Sequence, residues 1–127
     1  MAAKAHSNFM TEQEFKDHTK QITMRVVSLV EELPNNQKAH IIGNELLQSS
    51  ASIGANYRAA CRGKSTEELI KRLGDVESDA DRTLYWLEIL VESNIVPALK
   101  LSQLTEDLND IVYMTASSIQ ALRAKRN

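Results

Sequence analysis

Apolar residues recur along this chain at the spacing of α-helices. Phe15, Ile22, Val26, Leu29 and Leu33 lie 7, 4, 3 and 4 positions apart, which is one face of a helix. Thr11-Glu12-Gln13-Glu14 reads as a capping box at its start, and Pro34 stops it. Asn35 or Asn36 can cap a second helix with the stripe Ala39, Leu46, Ser50, Ile53 and Tyr57, edged by Ile42 and Ala60. Gly63 ends it. Ser65-Thr66-Glu67-Glu68 is a second capping box. It opens the stripe Leu69, Leu73, Val76, Ala80, Leu84, Leu87 and Val91, which ends near Asn94 and Pro97. A fourth stripe follows at Leu104, Leu108, Ile111, Thr115, Ser118, Ile119 and Leu122. The pattern predicts helices over 12–33, 36–62, 66–93 and 102–125, with a flexible N-terminal arm over 1–10 and one bundle domain over 11–127. Short connections make successive helices antiparallel neighbours, so the fold class expected is all-α, an up-down four-helix bundle.

Composition agrees and narrows the choice. The 127 residues are 43% hydrophobic and 25% charged, with 4 Gly and 2 Pro, enough for one core and few turns. The net charge of -2 gives no global attraction to nucleic acid or an anionic membrane. MAAKAHSNFM has no apolar run of a secretory signal, and no stretch is long enough to span a bilayer. A cytoplasmic protein that does not engage membrane is therefore expected. Cys61 is the single cysteine, so no disulfide forms within the chain, and a small buried core residue is its expected role.

Not every apolar residue falls on a stripe. With Leu69 at zero and about 100° per residue, Tyr85, Trp86 and Ile89 fall on the far side of the third helix. Large aromatics directed away from a core suit an interface. Met24 and Ile41 are also off-stripe and extend that candidate oligomer interface.

Chemistry is sparse. A di-iron bundle needs Glu-x-x-His on two helices, and the three histidines His6, His18 and His40 supply none. Glu14 and His18 read as a surface pair. There is no nucleophile elbow, P-loop or dinucleotide fingerprint. Asp75, Glu77, Asp79 and Asp81 fan around their helix as a solvated face or as pairs to a neighbour. No enzyme activity, metal or cofactor is expected. Small residues dominate the second helix from Ser49 to Asn56, where Ser49, Ser52, Ile53, Gly54 and Asn56 suit close helix packing; a small-ligand cavity is the alternative. Arg58, Arg62, Lys64, Lys71 and Arg72 form a candidate nucleic-acid contact near the second turn. Arg123, Lys125 and Arg126 form a second basic group, expected at the opposite end of the bundle.

The run from Ser49 to Arg62, with Ser52-Ile53-Gly54-Ala55-Asn56 at its centre, then Lys64-Ser65 and Ala80-Asp81 leading to Tyr85-Trp86-Leu87-Glu88, resembles the "four helix bundle protein" family. That family includes proteins encoded in intervening sequences of bacterial large-subunit ribosomal RNA genes. The resemblance implies a homopentameric ring without established enzymatic activity. More distantly it reaches the accessory variability proteins of retroelements, which are basic and bind nucleic acid. Three functions follow as expectations: a homo-oligomeric assembly or scaffold first, a multivalent nucleic-acid-binding ring second, a small-ligand carrier third.

Overall fold

The computed structural model describes residues 10–126. Four helices run in order: α1 Glu12–Glu31, α2 Gln37–Cys61, α3 Thr66–Glu92 and α4 Ser102–Arg126, with a 3-10 turn Ala98–Leu101 leading into α4. The expected all-α four-helix plan is the fold. The arm expected at the N-terminus lies, apart from Met10, outside the described residues.

Local chemistry sets the boundaries. Glu14 N–H donates to Thr11 Oγ1 at 3.1 Å while Thr11 N–H donates to Glu14 Oε1 at 2.8 Å, the complete capping box. Asn36 Oδ1 accepts from Ala39 N–H at 2.9 Å, which decides between the two candidate caps of α2. Ser65 Oγ caps α3 through Glu68 N–H at 3.1 Å. At the other end of α3, Asn94 adopts φ 60. Ile95 N–H then reaches back to Leu90 O at 3.1 Å and Asn94 N–H to Val91 O at 3.0 Å, a Schellman closure that frees the chain for Pro97. Helix α1 stops at Glu31, earlier than the expected residue 33. A proline disfavours helical backbone at the residue before it, so Leu33 has already left the helix.

The core runs through all four helices, with Ile22, Leu46, Ile53, Val76, Leu90, Leu108 and Ile111 fully buried. A smaller cluster of Ala60, Ile70, Leu73 and Ile119 closes one end. Helix α3 buries a wider face than one stripe, adding Ile70, Thr83 and Leu90, because it packs extensively on both α2 and α4. Leu33, Tyr57, Leu69, Val91, Ser118 and Leu122, expected on core stripes, are half-buried. Helix α1 packs broadly on α2 but only lightly on α4.

The small-residue segment of α2 faces two neighbours at once. A Cβ added at Gly54 would sit 3.3 Å from Thr19 Oγ1, so α1 and α2 approach closely there. Thr23 Oγ1 donates to Ser50 O at 2.9 Å across the same seam. Toward α3, Thr83 Oγ1 donates to buried Ser49 Oγ at 2.9 Å and Asn56 Nδ2 donates to Asp79 Oδ2 at 2.7 Å. Ile53 is fully buried between these polar pairs, and Ser52 is half-buried.

Candidate functional site

Helix direction decides where the basic residues lie. Helices α2 and α4 run the same way in an up-down bundle, so their C-termini share an end. The expectation that the two basic groups lie at opposite ends is therefore corrected: Arg126 on α4 pairs with Glu67 on the first turn of α3. Arg58, Arg62, Lys64, Lys71, Arg72, Arg123, Lys125 and Arg126 gather at one end, more than half of the chain's 15 Lys and Arg. Arg72 is half-buried and the others are exposed. Apart from Arg126, none of them is in an ion pair among the described residues. The net charge of -2 conceals this cationic end.

The same end holds a cavity of about 640 Å³ beneath Lys64 and Lys125. Cys61, expected in the core, is half-buried and lines this cavity instead. Burial raises its thiol above the ordinary value, while a hydrogen bond with Tyr57 acts the other way. Burial also raises the Tyr57 phenol, with Cys61 and Glu12 adding to the effect. The Tyr57 ring packs on Phe15 at 4.2 Å between centroids. Sequence reasoning missed this cavity because its walls come from all four helices.

The apolar candidates divide. Tyr85 and Ile41 are 54% and 52% exposed. Trp86 and Ile89, expected to face away from the core, are half-buried and pack against the main cluster; Trp86 lies only about 100° from Leu69, on the flank of α3. The Ser49–Thr83 hydrogen bond fixes the register of α2 on α3. At ~1.5 Å per residue from that bond, Ile41 and Ile89 come within about one turn of the same level, with Tyr85 and Trp86 just below. Tyr85 and Trp86 meet edge to face at 5.2 Å. Met24 is not part of this seam: 58% exposed, it lies on the outer face of α1, across the bundle from α3. Leu99, 85% exposed in the 3-10 turn, was not foreseen, since no helical period extends to it.

The acidic run does not converge. Asp79 turns toward Asn56, and burial raises its carboxyl above the usual value although Asn56 and Arg82 act the other way. Among the described residues, no group of three or more His, Cys, Asp or Glu is placed to hold a metal ion. His18 is not a simple surface residue: its buried Nε2 has no hydrogen-bond partner among the described residues. No helix of the described residues is long and apolar enough to cross a membrane.

The model of the 23S rRNA-intervening sequence protein family matches residues 11–117, which span the capping box of α1 through most of α4. This chain belongs to that family. A crystal structure from Bacteroides thetaiotaomicron, described as a protein of unknown function from the S23 ribosomal protein family, superposes with a TM-score of 0.80 at 30% identity. The alignment covers 87% of this chain and 99% of that one. No curated protein matches the chain. Membership of the 23S rRNA-intervening sequence family thus agrees with the bundle.

Proposed function

We propose that this protein is a non-enzymatic subunit of a homo-oligomeric scaffold, joined through the outer seam of α2 and α3. One observation carries this reading: Ile41 and Tyr85 stand half-exposed on the two helices whose register is locked by Ser49–Thr83, and Trp86 and Ile89 of the same stretch of α3 are half-buried against the core, Trp86 edge to face with Tyr85. An aromatic and a branched aliphatic side chain over a preformed apolar base suit an interface that excludes water with little side-chain ordering. The family resemblance argues for five subunits in a ring.

Light scattering at micromolar concentration tests this. The expected mass is a multiple of the 14.2 kDa subunit. Ile41→Glu with Tyr85→Glu, both at exposed positions, is expected to give monomers with helical content intact. A monomeric mass for the unaltered chain refutes the reading.

The single cationic end favours a second reading, a nucleic-acid-binding assembly in which each subunit contributes Arg58, Arg62, Lys64, Lys71 and Arg72 together with the α4 C-terminus. Repetition around a ring multiplies weak phosphate contacts by avidity. Anisotropy of a structured RNA is expected to show binding that weakens steeply between ~50 and ~200 mM salt. No binding at low salt ends this reading.

A further inference from the structure

The cavity at the cationic end is used by neither reading of function. It is a cleft between the first turns of α1 and the C-terminal half of α4, closed by the α2–α3 turn. Its origin is unequal packing, because α1 is seated on α2 and touches α4 only lightly. The ionic tie between α1 and α4, Arg25 with Asp107, lies several turns away toward the other end. A volume of about 640 Å³ falls within the range of small-molecule sites.

Two chemistries line the cleft. The wall is aliphatic and soft, with Leu69, Leu73, Leu122, Met10 and Met114. Methionine side chains adapt to irregular apolar shapes. Phe15 and Tyr57 stack on each other at 4.2 Å, so one face of each ring is already occupied. At the mouth stand the Lys64 and Lys125 side chains, neither in an ion pair among the described residues. The carboxylate that also lines the site, Glu12, is engaged by Lys16 at 3.2 Å. We propose that this cleft binds a single-chain amphiphile with an anionic head, its aliphatic chain along the leucine and methionine wall and its carboxylate between Lys64 and Lys125. Burial raises the Cys61 thiol and the Tyr57 phenol above ordinary values that already exceed neutral pH, so neither sets a negative charge against such a head.

Dodecanoate, titrated below its micellar concentration into the full-length protein carrying ¹³C-methyl methionine, tests this. Saturable shifts are expected at Met10 and Met114, which line the cleft, and none at Met24 on the outer face of α1. Lys64→Gln with Lys125→Gln is expected to weaken dodecanoate by about tenfold and leave dodecanol unchanged. Ala121→Phe, at an exposed lining position, is expected to block both. Should Ala121→Phe disturb the fold, as read from helical circular dichroism, the lysine pair decides alone. Absence of saturable shifts at Met10 and Met114 overturns the proposal. So does equal movement of Met24, or dodecyltrimethylammonium binding as tightly as dodecanoate.

Discussion

Replacing Gly54 by alanine isolates the close approach of α1 to α2, and Gly74 on α3 supplies the matched control. Alanine in a helix interior is worth about 0.5–1 kcal/mol over glycine, because glycine loses more backbone freedom on folding. At Gly74 an added Cβ meets nothing within 4 Å, so Gly74→Ala is expected to gain the whole amount. At Gly54 the added Cβ lies 3.3 Å from Thr19 Oγ1 and 3.7 Å from Thr19 Cβ. Thr19 is buried, and its hydroxyl donates to Lys16 O at 3.0 Å. Turning that hydroxyl away strands a buried donor, at a cost of about 1–3 kcal/mol. Moving α1 back instead loosens its packing, an overpacking cost of similar size. The gain and the cost leave Gly54→Ala about 0–2.5 kcal/mol less stable than the parent, and at least ~1 kcal/mol below Gly74→Ala. Gly54→Val, with two further methyl groups at the same seam, is expected to lose about 2–4 kcal/mol. Urea unfolding followed by circular dichroism measures all three, with a common slope as the check on two-state behaviour. If Gly54→Ala proves as stabilising as Gly74→Ala, the two helices are not held at that separation and the reasoning is refuted.

Other expectations follow from single contacts. Thr83→Val keeps shape but removes the hydroxyl that lies within hydrogen-bond distance of both Ser49 Oγ and Asp79 O, and is expected to cost about 1–2 kcal/mol in urea unfolding; a double-mutant cycle with Ser49→Ala should show coupling. Asp79 has a folded value above its unfolded one, so the native state binds the proton more tightly and stability falls as pH rises from about 4 through the raised value. Asp79→Asn keeps an oxygen to accept from Asn56, and its pH–stability profile should be flatter across that window than the parent's. At Asn94, where φ is 60, Asn94→Val is expected to destabilise by about 1–2 kcal/mol and Asn94→Gly to be neutral or stabilising, as read by thermal unfolding. His18→Leu, which removes the unpartnered buried Nε2, is expected to raise the melting temperature.

What the sequence made legible was axis and direction. The stripes of α1 and α3, with a complete capping box at Thr11 and a one-way cap at Ser65, where Glu68 Oε1 accepts from Lys64 N–H instead of the expected Ser65 N–H, contain enough local information to place both helices to within two residues. Burial across the stripe was less legible, because period alone does not say how many neighbours a helix has. Thr83 is polar, yet it is buried because its hydroxyl returns to Asp79 O and reaches Ser49. Trp86 lies only about 100° round the wheel from Leu69, on the flank rather than the far side, and it packs on the core because α2 covers that flank of α3.

The ends of the bundle expose the deeper gap. That α2 and α4 bring their C-termini together follows from topology alone, so the merged cationic end is a consequence of successive helices alternating in direction. The cleft beneath it does not follow from topology. It exists because α1 is held to α2 by Gly43, Gly54 and the Thr23–Ser50 hydrogen bond, leaving its other flank short of partners on α4. Close packing on one seam thereby opens space on the next. The small residues of α2, which read as a packing device, set the cavity's width from across the bundle although Gly43 and Gly54 line none of it. A substitution that pushes α1 off α2, such as Gly54→Val, should therefore change the cleft as well as stability. The methyl signals of Met10 and Met114 would move without ligand, and a Gly54→Val protein that stays folded with those signals unshifted would separate the cavity from the seam.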